Sequence, residues 1–269
     1  MTSLILCAYT YYKDRVEKEP LGLLAILLGA GGVLSVPTVY SEKLLGDVIQ
    51  KLFSNHIEIN PSGFMQFSSV SSSLSYYAIL SFAIIALLET AVKWTVMFLI
   101  THKNKNFNSL FDGLIYGVFV SLGFAMFDNI RFAWMNGWDM LFIRSLTTVP
   151  VHMVTGVFMG FFYTIWHALS LASKQEKVLA AENKITVKKP FRPAPAICLS
   201  IIIPFLTQGI YSFTEYTQTM ASKIILYVLV AVLFVIAFVG IYQTSAADAP
   251  DKKVANAMIK KKYPELPNN

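Results

Sequence analysis

The chain has 269 residues, of which 55% are hydrophobic and 14% charged, a mean hydropathy of +0.55 and a formal charge of +6. That is too apolar and too sparsely charged for an ordinary water-soluble fold, and the solvent it implies is a lipid bilayer. The surplus Lys and Arg fall in short connections between apolar runs with no nucleic-acid motif beside them, so they read as topology signals and a nucleic-acid partner is excluded.

The first segment, MTSLILCAYTYY, is apolar for about ten residues. A bilayer core of roughly 30 Å needs about 20 helical residues, so this segment is partly embedded or the remnant of a longer first span. It lacks the basic start and small-residue cleavage site of a signal peptide. Runs long enough to span follow at 20–40, 76–101, 110–134, 145–172, 196–217 and 220–243. Between the first two, 41–75 holds the amphipathic stretch SEKLLGDVIQKLF, the turn signal NPSG and a Ser-rich run. The stretch 173–195 reads as a polar linker, and the residues from 244 as a mobile tail. The expected fold is all-α: a polytopic transmembrane bundle over 1–243, with six spans plus the N-terminal apolar segment, followed by a disordered polar tail over 244–269. No internal repeat is visible. Cys7 and Cys198 form neither a disulfide framework nor a CxxC metal site.

Sixteen Lys and Arg lie on alternate connections of one parity, against Lys43 and Lys51 on the other. The positive-inside rule places the rich set, and with it the C-terminus, in the cytoplasm.

Ionisable residues inside apolar spans are costly and default to function. Glu89 and Lys93 lie four apart on one helix face; they either serve a site or simply neutralise each other. Asp128, Asn129 and Arg131 either belong to a site or sit at an interface. His152 follows Pro150 near the start of a span, as a ligand or a hydrogen-bonded packing residue. Two carboxylates and an imidazole on three neighbouring spans, Glu89, Asp128 and His152, are the donors a divalent metal would need, with zinc first among candidates. Such an ion makes a bound water acidic, and a nearby carboxylate then removes its proton. Gln208 and Ser212, four apart on the run 196–217, line a cavity or hydrogen-bond between helices. Gly113, Gly117, Ser121 and Gly123 permit close helix packing.

In order along the chain, YYKDRVEKEP at 11–20, ETAVK at 89–93, DGLIYGVFVSLGFAMFDN at 112–129 and RSLTTVPVHMVTG at 144–156 resemble the motifs of the PrsW family of intramembrane peptidases. More distantly, they resemble those of the CAAX-processing and Abi membrane proteases. The third motif is long and specific. The resemblance implies a water-activating site inside the membrane that cleaves single-span or other membrane-anchored proteins in the bacterial cytoplasmic membrane, on the theme of anti-sigma-factor processing. Glu89 then matches the first Glu of the family's EExxK motif and is base or ligand; Lys93 orients it; His152 is ligand or acid. Thr90 stands at the second Glu, Asp128 replaces a Glu, and Gln208 and Ser212 replace the His and the Asn or Asp of the final motif. Those departures leave a second class open: a degenerate relative that binds transmembrane helices without cutting them. A transporter is disfavoured, because no inverted repeat or paired broken helix is present.

Overall fold

The structure is a computed structural model that describes residues 2–53, 57–59, 65–67, 69–182, 184–187, 189–217 and 219–266. In chain order its helices are α1 (Thr2–Lys13), α2 (Leu21–Leu52), α3 (Val70–Ala78), a π-helical segment (Ile79–Ala86), α4 (Leu87–Thr101), α5 (Asp112–Asn136), α6 (Asp139–Ala181), α7 (Ala194–Thr217), α8 (Met220–Ala246) and α9 (Asp251–Lys262). A small antiparallel ribbon, β1 (Ile57–Ile59) with β2 (Met65–Phe67), follows α2, pairing Glu58 with Gln66. The predicted NPSG turn lies outside the described residues. Six helical stretches are long and apolar enough to cross a bilayer, so the chain is an integral membrane protein with the expected all-α bundle fold.

α5 is the hub. Leu114, Ile115, Tyr116, Val118, Val120 and Leu122 are fully buried, with α2 on one side and α6 on the other. Glycine allows both contacts. A methyl group at Gly117 would overlap the Gly156 carbonyl of α6, and one at Gly123 would overlap the Leu28 carbonyl of α2, so the backbones touch where any side chain would wedge them apart. α8 sits at the periphery, with Ile224, Val228, Val232 and Val235 exposed as a lipid-facing surface requires.

Three segments differ from their sequence pattern. α2 runs on through Pro37 to Leu52, so the amphipathic stretch at 41–53 continues the first span. α6 likewise passes through Pro150, which is interior to the helix and not in its first turn. The tail, expected to be mobile, contains α9. Ala255, Ile259 and Tyr263 are buried, and Tyr263 and Lys262 both reach Glu176 near the end of α6. A polar sequence with a short apolar stripe folds here because α6 extends far enough to receive it.

At one end of the bundle, the chain before α2, the 102–111 connection and the turn after α8 are spliced together. Leu110 N donates to Ala249 O, Asp251 N to Asn108 O, and Ser245 Oγ to Lys13 O. Buried there, Asp14 accepts from Glu19 N at 3.0 Å. Asp112 accepts from Asn108 N, Ser109 N and Ser109 Oγ at 2.6–2.7 Å. Burial, followed by the Asp112 charge, pushes the Glu19 carboxyl up to about 8.

Candidate active site

At the opposite side of the bundle, α4, α5, α6 and α7 gather the charged residues of the spans. The π-helical segment ends at Ala86, just before α4 and three residues ahead of Glu89. Wide turns of this kind recur at functional sites because they re-aim the side chains that follow. Lys93 Nζ donates to Glu89 Oε2 at 2.7 Å and lies 2.8 Å from His152 Nδ1 on α6. The carboxylate and the ring stand 3.8 Å apart. An ammonium can only donate, so His152 Nδ1 is the acceptor and the ring proton is on Nε2. Glu89, Lys93 and His152 are all buried, Lys93 to 1% exposure. Phe124 of α5 closes one side, its ring 4.4 Å from Lys93 Nζ.

A second layer lies beside the first. Asp128 Oδ1 accepts from Arg131 at 2.8 Å and Oδ2 from Arg144 at 2.7 Å. Arg144 also donates to Asn129 Oδ1 at 2.9 Å, stacks over Phe132 at 4.2 Å, and comes within 3.8 Å of Glu215 on α7. Asp128 and Arg144 both act electrostatically on Glu89, so the layers share one field.

The structure therefore joins Glu89, Lys93 and His152 directly, and joins Asp128 and Asn129 through Arg144. Thr90, Gln208 and Ser212 are each 2% exposed. Among the described residues Gln208 Oε1 has no hydrogen-bond partner. Of the other histidines, His102 stacks on Phe98 and His167 on Phe107; His56 lies outside the described residues. Sequence reasoning missed three groups. Arg144 lies eight residues before His152, about two helical turns, on the same helix, which is the one available signal. Glu215 falls near the end of the run 196–217 and was not singled out, and Glu42 falls in the stretch 41–75 read as a connection.

The predicted metal set is not assembled. No group of three or more His, Cys, Asp or Glu able to hold a metal occurs among the described residues. The physical reason is local: the Lys93 ammonium occupies the space between Glu89 and His152, and both Asp128 oxygens are bound by guanidinium groups. A site that already holds cationic side chains among its donors does not fit a divalent ion.

Beside the site, a groove of about 370 Å³ runs between α2 and α4. It is lined by Thr38 and Ser41 on one wall and by Leu88, Ala91, Val92 and Thr95 on the other. Leu88 and Val92 immediately precede Glu89 and Lys93 in sequence, but neither charged residue lines the groove.

Residues 19–241 match a family model described as PrsW family intramembrane metalloprotease. The chain is 28% identical over 213 residues to Protease PrsW of Oceanobacillus iheyensis, covering 78% of each. It is 27% identical to the Bacillus subtilis protein over 210 residues, covering 78% of this chain and 77% of the relative, and 27% identical to that of Geobacillus kaustophilus, covering 77% and 73%. No solved structure matches the chain. With the family model spanning residues 19–241 of a six-span bundle, the chain belongs to the PrsW family of intramembrane proteases.

Proposed function

We propose that this protein is an intramembrane peptidase that hydrolyses peptide bonds of single-span or otherwise membrane-anchored proteins, in regulated proteolysis of the anti-sigma-factor kind. It works in a bacterial cytoplasmic membrane with its C-terminus in the cytoplasm. The observation that carries the reading is the buried Glu89–Lys93–His152 cluster, three ionisable groups within hydrogen-bonding reach in an apolar bundle. Structural neutralisation of Glu89 by Lys93 would not require His152 as well.

Lys93 holds Glu89 through Oε2, which leaves Oε1 outside that hydrogen bond. Glu89 Oε1 accepts the proton of a water that attacks the scissile carbonyl, and the His152 Nε2–H steadies the oxygen on which charge develops. Exclusion of bulk water strengthens each of these interactions. The family description names a metal, but the disposition of Lys93 and the two arginines does not fit one, and no step here is routed through it.

A second reading is a non-cleaving binder of transmembrane helices. Thr90, Gln208 and Ser212, and the full ion pairing of Asp128, favour it. The two separate on co-expression with a panel of single-span membrane reporters. Cleavage by the wild type that is lost in Glu89→Ala and in His152→Ala supports the peptidase. Capture of reporters without cleavage supports the binder. Metal analysis is an independent check, since a stoichiometric divalent ion lost on His152→Ala would overturn the metal-free arrangement.

A further inference from the structure

The candidate site is closed. Lys93 and His152 are each 1% exposed and Glu89 is 8% exposed, so no peptide reaches them unless a surrounding helix moves. Of those helices, α6 changes character within one turn. Every residue from Thr148 to Val157 is buried, whereas none of the described side chains from Asp139 to Thr147 is, and Phe142, Ile143 and Leu146 stand exposed. The inner stretch is locked to α5 by backbone contact, Gly156 against Gly117 and Gly160 against Gly113. The outer stretch contains no glycine through which to make such a crossing.

Pro150 falls at the boundary. It has no N–H to return to the Leu146 carbonyl, and its ring crowds that turn, so the helix is softest there. Further out, the Ser145 and Thr147 hydroxyls donate to the carbonyls of Phe142 and Ile143 at 2.7 and 3.2 Å, bonds of a kind that bend helices. What holds the outer stretch is polar. Arg144, Thr148 and His152 recur every four residues and so form one stripe on α6. Arg144 binds Asp128 and Asn129 and stacks on Phe132, all of α5. Thr148 Oγ1 lies 3.1 Å from Tyr211 OH of α7, and His152 meets Lys93. Only Gly137 and Trp138 separate α5 from α6, so the outer stretch cannot part from α5. It can part from α7, where its polar contacts among the described residues are the Thr148–Tyr211 hydroxyl pair and the 3.8 Å approach of Arg144 to Glu215.

We propose that the outer stretch of α6, residues 139–149, is a hinged gate that swings away from α7 about Pro150 and admits the substrate peptide to the site. The inference rests on the peptidase reading above. Parting the Thr148–Tyr211 pair uncovers His152, one turn further in on the same stripe. The peptide then lies along the seam between α6 and α7. Hydroxyl and charged groups of that seam satisfy the N–H and C=O groups of an unwound chain, which lipid cannot do. The exposed Phe142, Ile143 and Leu146 face hydrocarbon with the gate shut. A gate that is open for a small fraction of the time weakens apparent substrate affinity by that fraction and leaves the chemical step unchanged.

The experiment uses the full-length protein in liposomes with a synthetic transmembrane peptide carrying the bond cut in the reporter. Thr148→Cys and Tyr211→Cys are combined in a Cys7→Ala, Cys198→Ala background and joined by a short bifunctional thiol reagent whose spacer contains a disulfide. Joining the pair removes the open state, so cleavage slows by about tenfold or more, and reduction of the spacer restores it. Tyr211→Phe deletes one hydrogen bond of the latch, so KM falls about threefold to tenfold with kcat within about twofold. Pro150→Ala returns the missing N–H and stiffens the hinge, so KM rises about threefold or more while the thermal unfolding midpoint stays at or above that of the wild type. A joined pair that cleaves as fast as the reduced one overturns the gate and leaves the peptidase standing. So does a KM within about twofold of wild type in both single variants, and those variants decide the matter if the unjoined pair is inactive. A wild type that cuts nothing overturns the peptidase reading. The gate is then read from capture of the same peptide, and equal capture before and after joining overturns it.

Discussion

The two ends of the bundle bury acidic residues in opposite ways. Where α1, α5 and the turn after α8 meet, Asp14, Asp112 and Asp248 are held chiefly by backbone N–H groups, with Phe111 N donating to Asp248 at 3.0 Å. Around Glu89 and Asp128 the partners are Lys93, Arg131 and Arg144. Backbone donors are fixed to the chain, so satisfying a carboxylate with them locks three connections into one splice. Side-chain cations hold charge without fixing the backbone. One end is a clamp and the other the proposed reaction centre.

The largest test of that contrast is Glu89→Gln, which should lower reporter cleavage by about 10²- to 10⁴-fold while leaving the unfolding midpoint close to wild type. A variant that still cleaves would make the charged end as structural as the clamp. Lys93→Met should act on stability as well, because it leaves Glu89 buried beside no cation; a cost of roughly 3–5 kcal/mol is expected for a broken buried pair. Adding Glu89→Gln to Lys93→Met should recover part of that loss, and additive losses in the double variant would show that the two residues do not depend on each other. At the clamp, Asp112→Ala strands the Asn108 and Ser109 N–H groups, and chemical denaturation should report about 1–3 kcal/mol without a specific loss of turnover per folded molecule.

A further test concerns pH at the clamp. Glu19 titrates near 4.5 when exposed and near 8 in the folded chain. Between those values the folded chain retains a proton that the unfolded chain has released, so stability falls as pH rises from about 4.5 to 8. Glu19→Gln should flatten that part of the stability profile, and an unchanged slope would assign the dependence to other groups.

Much of the fold was legible because a bilayer demands long apolar runs, and each of the six crossings is one. The exceptions have local causes. The polar continuation of α2 past Pro37 masks Glu42 as part of a loop, and α9 carries too few apolar residues to announce itself before α6 is there to cover them. Within the site, Glu89 and Lys93 were readable from their four-residue spacing, since one helix places both on one face. The grouping with His152 was also expected, but the direct Lys93–His152 contact was not, because 59 residues separate the two.

By itself, then, the sequence determined the membrane-spanning architecture, the identities of the buried ionisable residues and the glycines that let α5 serve as hub. Tertiary structure alone decided that Lys93 stands between Glu89 and His152 and that Arg131 and Arg144 claim Asp128. The reason is one of range. Hydrophobicity and helical spacing act over a few neighbouring residues, whereas the pairing of buried charges depends on which helices the glycine crossings bring within about 3 Å of side-chain contact.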